Sequence, residues 1–239
     1  MPGKPSILIV GGTGFIGESL LNIVRNLGWT CTVLSLRNPK KCDKNTEYLR
    51  VDLTNTLLTK NLLENRNFDY VVNLSGYIDH SSYFDKGQAV IDTHFNGLQN
   101  LVNSLDRSKL KCFVQIGSSD EYGNVSAPQS EHMRESPISP YSFSKVCATH
   151  LLQMLHKTEN FHVSCIHLGH INWVQPDFFL DEAGIVKDLI RWFHREMQIQ
   201  EERGNHIEKL SSYSMVADRN NNFENVPNFS NSFRVILNM

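Results

Sequence analysis

The stretch Ser6–Gly17 reads SILIVGGTGFIG and combines an apolar run, a glycine-rich turn and the first residues of an amphipathic segment. Ser6–Val10 is a continuous β-rich apolar run, which is typical of a strand buried on both faces. Phe15–Leu27 carries apolar residues at helical spacing, and Gly28 follows as a helix end. The order of strand, glycine turn and helix predicts the first unit of an α/β fold.

The glycines of this turn follow the spacing G-x-x-G-x-x-G. Gly11 permits a tight turn, Gly14 lets the backbone approach a pyrophosphate, and Gly17 lets the helix pack close to the sheet. The helix N-terminus then offers N–H groups and a positive dipole to the anion. A plain glycine turn is the alternative, which the flanking strand and helix disfavour. The candidate cofactor-binding residues here are Gly11, Gly12, Thr13, Gly14, Phe15, Ile16 and Gly17.

Short apolar runs alternate with longer amphipathic runs through the first two-thirds of the chain. We predict further strands at Thr30–Leu36, Tyr48–Val51, Phe68–Leu74, Cys112–Gly117 and Phe161–Leu168. We predict further helices after Asn55, at Lys86–Leu105 and at Tyr141–Lys157. Strands that alternate with helices indicate a doubly wound parallel sheet with right-handed crossovers and helices on both faces.

The last part of the chain has a different character, which indicates two domains. We expect a nucleotide-binding domain at 1–170 and a small, shortened substrate lobe at 171–239. In the second part, Asp181–Arg203 has the spacing of one amphipathic helix. The residues after Ser211 are rich in Asn and Ser, which predicts weak order, with one closing strand at Phe233–Leu237.

The composition excludes several classes of protein. The 239 residues are 40% hydrophobic and 20% charged, unlike a disordered, collagenous or low-complexity chain. The 23 basic and 25 acidic residues give a net charge of −2, which lacks the basic field that non-specific nucleic-acid binding needs. The apolar runs are far shorter than the roughly 20 residues that span a bilayer. The five cysteines include no C-x-x-C pair, and no apolar signal segment precedes the first strand. We therefore expect a cytoplasmic protein with no membrane or nucleic-acid partner and no metal site.

The end of the second predicted strand bears on the choice between NAD and NADP. An acidic residue there would bind the ribose 2′-hydroxyl and repel a 2′-phosphate, but the chain has Ser35-Leu36-Arg37. A hydroxyl and a guanidinium suit a 2′-phosphate, so we predict NADP, with NAD as the alternative if Arg37 is only a solvated surface charge. Asp52 follows the third strand and is able either to accept from an adenine amino group or to cap a turn. Leu53 beside it is a further candidate cofactor contact.

Tyr141-Ser142-Phe143-Ser144-Lys145 opens a predicted helix and places Tyr141 and Lys145 one turn apart on one face. A nearby ammonium stabilises a phenolate, so we expect Lys145 to lower the pKa of Tyr141 toward the working range, and to reach a ribose hydroxyl. Ser118 stands at the end of the fifth strand, and ligands of open α/β sheets bind beyond the carboxyl ends of strands. We therefore expect Ser118 to polarise a substrate oxygen while Tyr141 moves the proton.

The chain carries four motifs together over about residues 5–170: Gly11–Gly17, Asn73–Gly76, Ser118–Gly123 and Ser139–Lys145. This combination resembles the extended short-chain dehydrogenase/reductases, and within them the NAD-dependent epimerase/dehydratase family that modifies nucleotide sugars. The resemblance implies an NAD(P)-binding Rossmann fold, a nucleotide-sugar substrate, a homodimer, and Ser118, Tyr141 and Lys145 as catalytic residues. It also implies cofactor contacts at Leu74 and Ser75.

The sequence of the motif Ser118–Gly123 is similar to that of the 4-keto-6-deoxy-sugar reductases, many of which use NADPH. The sugar 4,6-dehydratases of the same family instead carry an Asp-Glu pair after the catalytic hydroxyl, where this chain has Ser119 and Asp120. The shorter acid favours reduction or epimerisation of a 4-keto hexose linked to a nucleoside diphosphate. A 4,6-dehydratase is the alternative within the family.

Three features depart from the family resemblance. His94 stands where the family usually has Asn, and His167–Trp173 replaces the usual Arg-x-x-Asn-x-Tyr-Gly-Pro. The substrate lobe is also shorter than usual, so a non-catalytic dinucleotide-binding protein is a second hypothesis. His162, His167 and His170 lie near the sixth strand, where polar or substrate contacts are more common than a metal site.

Overall fold

The computed structural model describes residues 4–39, 41–125, 129, 133–168 and 234–236. The described strands are β1 Ser6–Val10, β2 Thr30–Ser35, β3 Thr46–Arg50, β4 Tyr70–Asn73, β5 Cys112–Ser118, β6 Val163–Leu168 and β7 Arg234–Ile236. The described α-helices are α1 Phe15–Asn26, α2 Thr56–Leu63, α3 Gln88–Ile91, α4 Gly97–Ser104 and α5 Pro140–Glu159.

The strands form one twisted sheet in the order β3-β2-β1-β4-β5-β6-β7. β1 to β6 pair in parallel, and β7 pairs antiparallel to β6. The first six strands have the order 3-2-1-4-5-6 of the Rossmann fold, in which the chain reverses its direction of travel between β1 and β4. This order confirms the predicted doubly wound parallel sheet and places the switch point beside the glycine turn.

The core lies on both faces of the sheet, as expected for strands covered by helices. Leu8 and Val10 of β1 belong to the buried cluster that also contains residues of α4 and α5. Ile7 and Ile9 point the other way, into the cluster that contains residues of α1. Because side chains alternate along a strand, a run that is apolar at every position is needed to fill both cores.

Sequence signals fix the ends of α1 and α5. Gly28, with φ +79°, follows α1 and its N–H donates to the Arg25 carbonyl at 2.8 Å. α5 begins after Ser139, whose hydroxyl accepts from the backbone N–H of Ser142 at 3.1 Å, and it ends at Asn160 in the left-handed region. The predicted bounds Phe15–Leu27 and Tyr141–Lys157 differ from those of α1 and α5 by at most two residues.

The prediction of one long helix at Lys86–Leu105 was wrong in one respect. The helical segment is interrupted by two π-helical turns, Tyr83–Gly87 and Asp92–Asn96, with α3 between them and α4 after them. A π turn adds a residue to the repeat and shifts the face that the helix presents, which is a common feature of functional sites. The second π turn contains the buried His94.

β7 confirms that the closing segment Phe233–Leu237 contains a strand, and pairs it with β6. The expected helix at Asp181–Arg203 and the residues His170 and Trp173 lie outside the described residues. Within the part of the chain that is described, no helix is long and apolar enough to cross a membrane.

Candidate active site

The glycine turn lies against the loop that follows β4. Gly11 has φ +77°, and a Cβ on it would stand 2.9 Å from the backbone of Leu74. A Cβ on Gly17 would stand 2.5 Å from the Gly11 carbonyl oxygen and from the Gly12 Cα. Gly11 therefore allows two loops to meet, and Gly17 allows α1 to pack directly on the turn.

The N-terminus of α1 suits an anion. Gly14 occupies the cap position, where it supplies no side-chain acceptor, and it is exposed. A Cβ on Gly14 would meet only the Gly11 carbonyl oxygen, at 3.2 Å. The first turn of a helix has N–H groups without intrahelical partners, and the bare Cα leaves room for a phosphate to approach them. These features fit the pyrophosphate of a dinucleotide, with Gly12, Thr13, Phe15 and Ile16 in the same turn.

The loop after β4 closes the other side of the switch point. The Leu74 N–H donates to the Val10 carbonyl at 2.9 Å, so the two strand ends stay side by side. Asn73 accepts from the Ser75 hydroxyl at 2.5 Å, and its amide donates to Gln115 of β5 at 2.8 Å. Leu74 and Ser75 are thus held next to the glycine turn, where a cofactor contact was predicted.

The end of β2 carries no acidic side chain. Ser35 is buried, and its hydroxyl accepts from the Thr13 N–H at 3.3 Å, which joins it to the glycine turn. Arg37 is exposed two residues later. The Arg50 Nε donates to the Leu36 carbonyl at 3.2 Å, which brings a second guanidinium to this strand end. The sequence analysis missed Arg50, because only the pairing of β2 with β3 places it opposite Ser35.

Asp52 and Leu53 have structural contacts of their own. The Asp52 carboxylate accepts from the backbone N–H and the hydroxyl of Thr54 at 2.9 Å and 2.7 Å, the arrangement of a turn cap. Leu53 is buried, and a Cβ on Gly97 of α4 would stand 3.2 Å from its Cβ. Of the two interpretations of Asp52, the turn cap is observed, and the adenine contact of Asp52 and Leu53 stays a prediction.

The structure brings Ser118, Tyr141 and Lys145 together. Ser118 ends β5, while Tyr141 and Lys145 lie on the first two turns of α5. The Ser118 side chain is close enough to Tyr141 to lower the pKa of the phenol. The Lys145 ammonium donates to the Ile116 carbonyl at 3.0 Å and lies 5.8 Å from the centre of the Tyr141 ring. All three side chains are buried in this structure, at the carboxyl end of the sheet.

The electrostatics of Tyr141 differ from the expectation. Burial raises the pKa of Tyr141, and the carboxylates of Asp120 and Glu121 raise it further, although the nearby Ser118 side chain lowers it. Burial also lowers the pKa of Lys145 to about 8. The predicted lowering of the Tyr141 pKa by Lys145 is therefore wrong for this arrangement, because the ammonium is directed at the Ile116 carbonyl and desolvation dominates.

Glu121 is a fully buried carboxyl group that the sequence analysis did not single out. It accepts from the backbone N–H of Ser118 at 2.8 Å and from the Thr149 hydroxyl at 2.9 Å, and the His167 ring lies 3.5 Å from it. Burial raises the pKa of Glu121 to about 7. The spacing Ser118-x-x-Glu121 is that of a capping box, and the role of Glu121 in the cap could have been predicted from this spacing. These contacts of Glu121 tie the end of β5 to α5 and β6.

His94 and His80 flank the Tyr141 ring. Each imidazole centroid lies 5.2 Å from the Tyr141 centroid, in edge-on geometry. His80 is exposed and His94 is buried. His167, which the sequence analysis considered for a metal, is buried beside Glu121, and the described residues contain no group of three or more potential metal ligands. The site can therefore be described as a phosphate-binding turn next to a tyrosine, a serine and a lysine.

Comparison with known proteins identifies the family. A model of the NAD dependent epimerase/dehydratase family matches residues 7–202. The chain belongs to this family. Membership confirms the resemblance that the sequence motifs indicated, and with it an NAD-binding Rossmann fold of the extended short-chain dehydrogenase/reductase type.

Two relatives in this family are described as dTDP-glucose 4,6-dehydratases. The protein from Dictyostelium discoideum is 25% identical over 175 residues, which cover 64% of this chain and 40% of that protein. The protein from Haemophilus influenzae is 27% identical over 180 residues, which cover 64% of this chain and 52% of that protein. The matched region thus spans about half of these relatives or less.

A solved structure supports the fold. It is a short-chain dehydrogenase/reductase superfamily protein from Agrobacterium tumefaciens, crystallised with bound NAD. Its TM-score is 0.62 at 16% identity, and the match covers 85% of this chain and 63% of that one. At this identity the likeness shows a shared fold alone, and the substrate has to be argued from the site.

Proposed function

We propose that this family member is an NAD(P)-dependent oxidoreductase that reduces or epimerises a 4-keto hexose linked to a nucleoside diphosphate. The observation that carries the proposal is the buried pair of Tyr141 and Ser118 at the carboxyl end of β5, with the Lys145 ammonium 5.8 Å from the centre of the Tyr141 ring. This pair lies at the same edge of the sheet as the glycine turn, so a nicotinamide and a sugar can share one cleft. The nucleotide-sugar substrates named for the two relatives support the choice of substrate class.

The chain's own residues supply the proton chemistry. The bound cofactor would supply or accept hydride at the sugar carbon. Tyr141 donates its phenol proton to the ketone oxygen during reduction, and Ser118 orients both oxygens. Lys145 has three N–H donors, of which one is used by Ile116, so the others are available to a ribose hydroxyl. Gly11 to Gly17 would hold the pyrophosphate.

The end of β2 supports NADP as the cofactor. Arg37 and Arg50 bring two guanidinium groups to the place where the adenosine ribose of a Rossmann cofactor lies, and Ser35–Arg37 contains no carboxylate to repel a 2′-phosphate. A charge-assisted contact of this kind contributes about 1.5–3 kcal/mol, which is roughly tenfold or more in affinity. The Agrobacterium tumefaciens protein was crystallised with bound NAD, and NAD is therefore the alternative cofactor.

Calorimetric titration with NADPH and NADH tests this cofactor choice. We expect Arg37→Ala and Arg50→Ala each to lower the affinity for NADPH by about tenfold and to lower the affinity for NADH much less. Arg107→Ala, an exposed arginine on another loop, is the matched control. Equal affinity of the parent protein for NADH and NADPH would remove the role of Arg37 and Arg50, while the phosphate-binding role of the glycine turn would stand.

Replacement of Tyr141 tests the catalytic assignment. Tyr141→Phe keeps the ring between His80 and His94 but removes the proton, so we expect NADPH binding close to the parent value and turnover of a 4-keto hexose nucleotide reduced by about 100-fold or more. Tyr83→Phe, an exposed tyrosine, is the control. Parent-like turnover by the Phe variant would show that the assignment is wrong. Cofactor binding by the parent without turnover of any sugar would favour a non-catalytic dinucleotide-binding protein.

A 4,6-dehydratase is the second candidate, and one electrostatic interaction favours it. The Asp120 carboxylate is close enough to Tyr141 to raise its pKa, and it follows Ser118 at a position that carries an elimination residue in the dehydratases. NMR of dTDP-glucose incubated with the protein and NAD+ distinguishes the two. A 4-keto-6-deoxy product that is lost in Asp120→Asn, and kept in the exposed Asp106→Asn control, would establish dehydration and overturn the first choice.

A further inference from the structure

His94 is the one departure from the family resemblance that the described structure places against a proposed catalytic group. It lies on the π turn Asp92–Asn96 and is 5% exposed. Both ring nitrogens have partners: the Tyr77 backbone N–H donates to Nε2 at 3.1 Å, and Nδ1 lies 3.0 Å from the Ser144 hydroxyl oxygen. Because both ring nitrogens are hydrogen-bonded, the imidazole of His94 has a single orientation and a single tautomer.

The hydrogen bonds of Ser144 determine which nitrogen of His94 carries the proton. The Ser144 hydroxyl donates its single proton to the Tyr141 carbonyl oxygen at 2.7 Å. Its oxygen can therefore only accept from His94, which requires a proton on Nδ1. Nε2 accepts from the Tyr77 N–H and carries none. His94 is thus neutral, with its proton on Nδ1, and burial together with the Lys145 charge lowers its pKa to about 3.

The same imidazole contacts the proposed proton donor directly. Its centroid lies 5.2 Å from the Tyr141 centroid at an interplanar angle of 75°, and it also meets the Tyr77 ring edge-on at 6.3 Å. A Cβ on Gly76 would stand 2.6 Å from Nε2, so the loop after β4 packs on the ring without a gap. His94 therefore joins the loop beside the glycine turn to the first turn of α5.

We propose that His94 is a positioning residue for Tyr141, and that its neutral Nδ1–H imidazole aligns the phenol by linking the Gly76–Tyr77 loop to Ser144. The proposal rests on the proposed function for the role of Tyr141. An asparagine at this position could place an amide near the Nδ1 position, but it has no atom where Nε2 stands. The histidine thus adds a connection to the loop that lies on the cofactor side of the cleft.

The first test is spectroscopic and independent of turnover. Two-dimensional NMR of the full chain with ¹⁵N-labelled histidine reports the tautomer of each imidazole, and His94→Gln assigns the signals of His94. We expect a neutral Nδ1–H ring that does not titrate between about pH 5 and about pH 8, unlike an ordinary histidine with a pKa of about 6.5. An Nε2–H tautomer, or titration within this range, would overturn the proposal.

The second test separates the two links of His94. His94→Asn keeps a donor toward Ser144 and loses the acceptor for Tyr77, whereas His94→Gln does the reverse, and Ser144→Ala cuts the link to α5. With the sugar that the parent protein turns over, we expect kcat to fall about 10- to 100-fold in the Gln and Ala variants and less in the Asn variant. The sugar KM should change by less than about threefold. His150→Asn, an exposed histidine of α5, is the control.

Parent-like kcat in all three variants would refute the positioning role. If the parent protein turns over no sugar, the proposed function fails, and the role of His94 is then read from the ¹³Cζ signal of Tyr141. That signal should move in His94→Gln and Ser144→Ala and stay in place in His150→Asn. An unmoved signal refutes the inference without reference to activity. Melting temperatures show whether each variant is folded, and for one that does not fold the tautomer measurement on the parent protein decides.

Discussion

At the scale of single residues, the direction of proton transfer depends on the protonation state of Tyr141. Its pKa is raised by burial and by the carboxylates of Asp120 and Glu121, so the side chain is a neutral phenol at neutral pH. A phenol is a proton donor, which suits reduction of a ketone better than removal of a proton from an alcohol. A group that stabilises the phenolate would instead favour removal of a proton from an alcohol.

Asp120→Asn tests this electrostatic account. Removal of the carboxylate beside Tyr141 should lower the pKa of Tyr141, because the negative charge that disfavours the phenolate is gone. The measurement is the ¹³Cζ shift of Tyr141 as a function of pH, assigned with Tyr141→Phe. Asp106→Asn, an exposed aspartate on another loop, should leave the titration unchanged. A Tyr141 pKa that stays in place or rises in Asp120→Asn contradicts the assignment of causes.

The same residues show what a sequence can predict of a site. Tyr141, Lys145 and Ser118 were found from spacing and from their places at element ends, and the structure brings them together. The direction of the Tyr141 pKa was not predictable, because burial and the effect of the carboxylates that follow β5 depend on the packing of α5 against the sheet. Arg50 was missed for a similar reason, since only strand pairing brings it to Ser35.

At the scale of elements, the glycine turn and α1 work as one unit in which two glycines have different roles. A Cβ on Gly17 would stand 2.5 Å from the backbone of the turn, which cannot move aside without displacing α1. A Cβ on Gly14 would meet one oxygen at 3.2 Å and otherwise point into the space where a pyrophosphate would bind. Packing thus depends on Gly17, whereas we expect ligand approach to depend on Gly14.

The two alanine variants should therefore fail in different ways. We expect Gly17→Ala to lower the free energy of unfolding by about 1–3 kcal/mol through overpacking, with cofactor affinity falling as well. Gly14→Ala should change the free energy of unfolding by less than about 1 kcal/mol and still weaken cofactor binding about tenfold or more. Urea unfolding and calorimetric titration measure the two quantities. Equal loss of stability in both variants would contradict the division of roles.

Helix ends were predictable at this scale, and helix regularity was not. Gly28 and Ser139 are signals that act on their own neighbours, so the ends of α1 and α5 could be predicted to within a few residues. The π turn at Asp92–Asn96 has no such local signal. It is stabilised by contacts of His94 with Tyr77 and Ser144, which are distant in sequence.

At the scale of the whole molecule, the packing of the sheet and the ionisation of the charged groups buried beside it depend on each other. β5 lies between β4 and β6, and Glu121 just beyond its end contacts α5 through Thr149 and lies 3.5 Å from His167 of β6. Lys145 is buried nearby and stabilises the charged form of Glu121. A buried carboxyl group with these contacts couples the packing of the sheet to pH, because ionisation has to occur away from water.

The stability of the molecule should consequently fall as pH rises through the range in which Glu121 ionises. The pKa of Glu121 is raised from 4.5 to about 7, so the folded state holds this proton more tightly than the unfolded state. Its contribution to stability is then fully present below about pH 4.5 and is lost as pH rises through about 7. The lowered pKa of Lys145, at about 8, acts in a separate and more alkaline range.

Glu121→Gln isolates this effect, since the amide is nearly isosteric and does not ionise. We expect urea unfolding of the parent protein to show a free energy that falls between about pH 5 and about pH 7 relative to the Gln variant. The exposed Glu64→Gln variant should follow the parent curve throughout. A Gln variant whose stability runs parallel to that of the parent over this range would mean that Glu121 ionises as easily in the folded protein as in the unfolded chain. The coupling of sheet packing to pH would then have to come from another buried group.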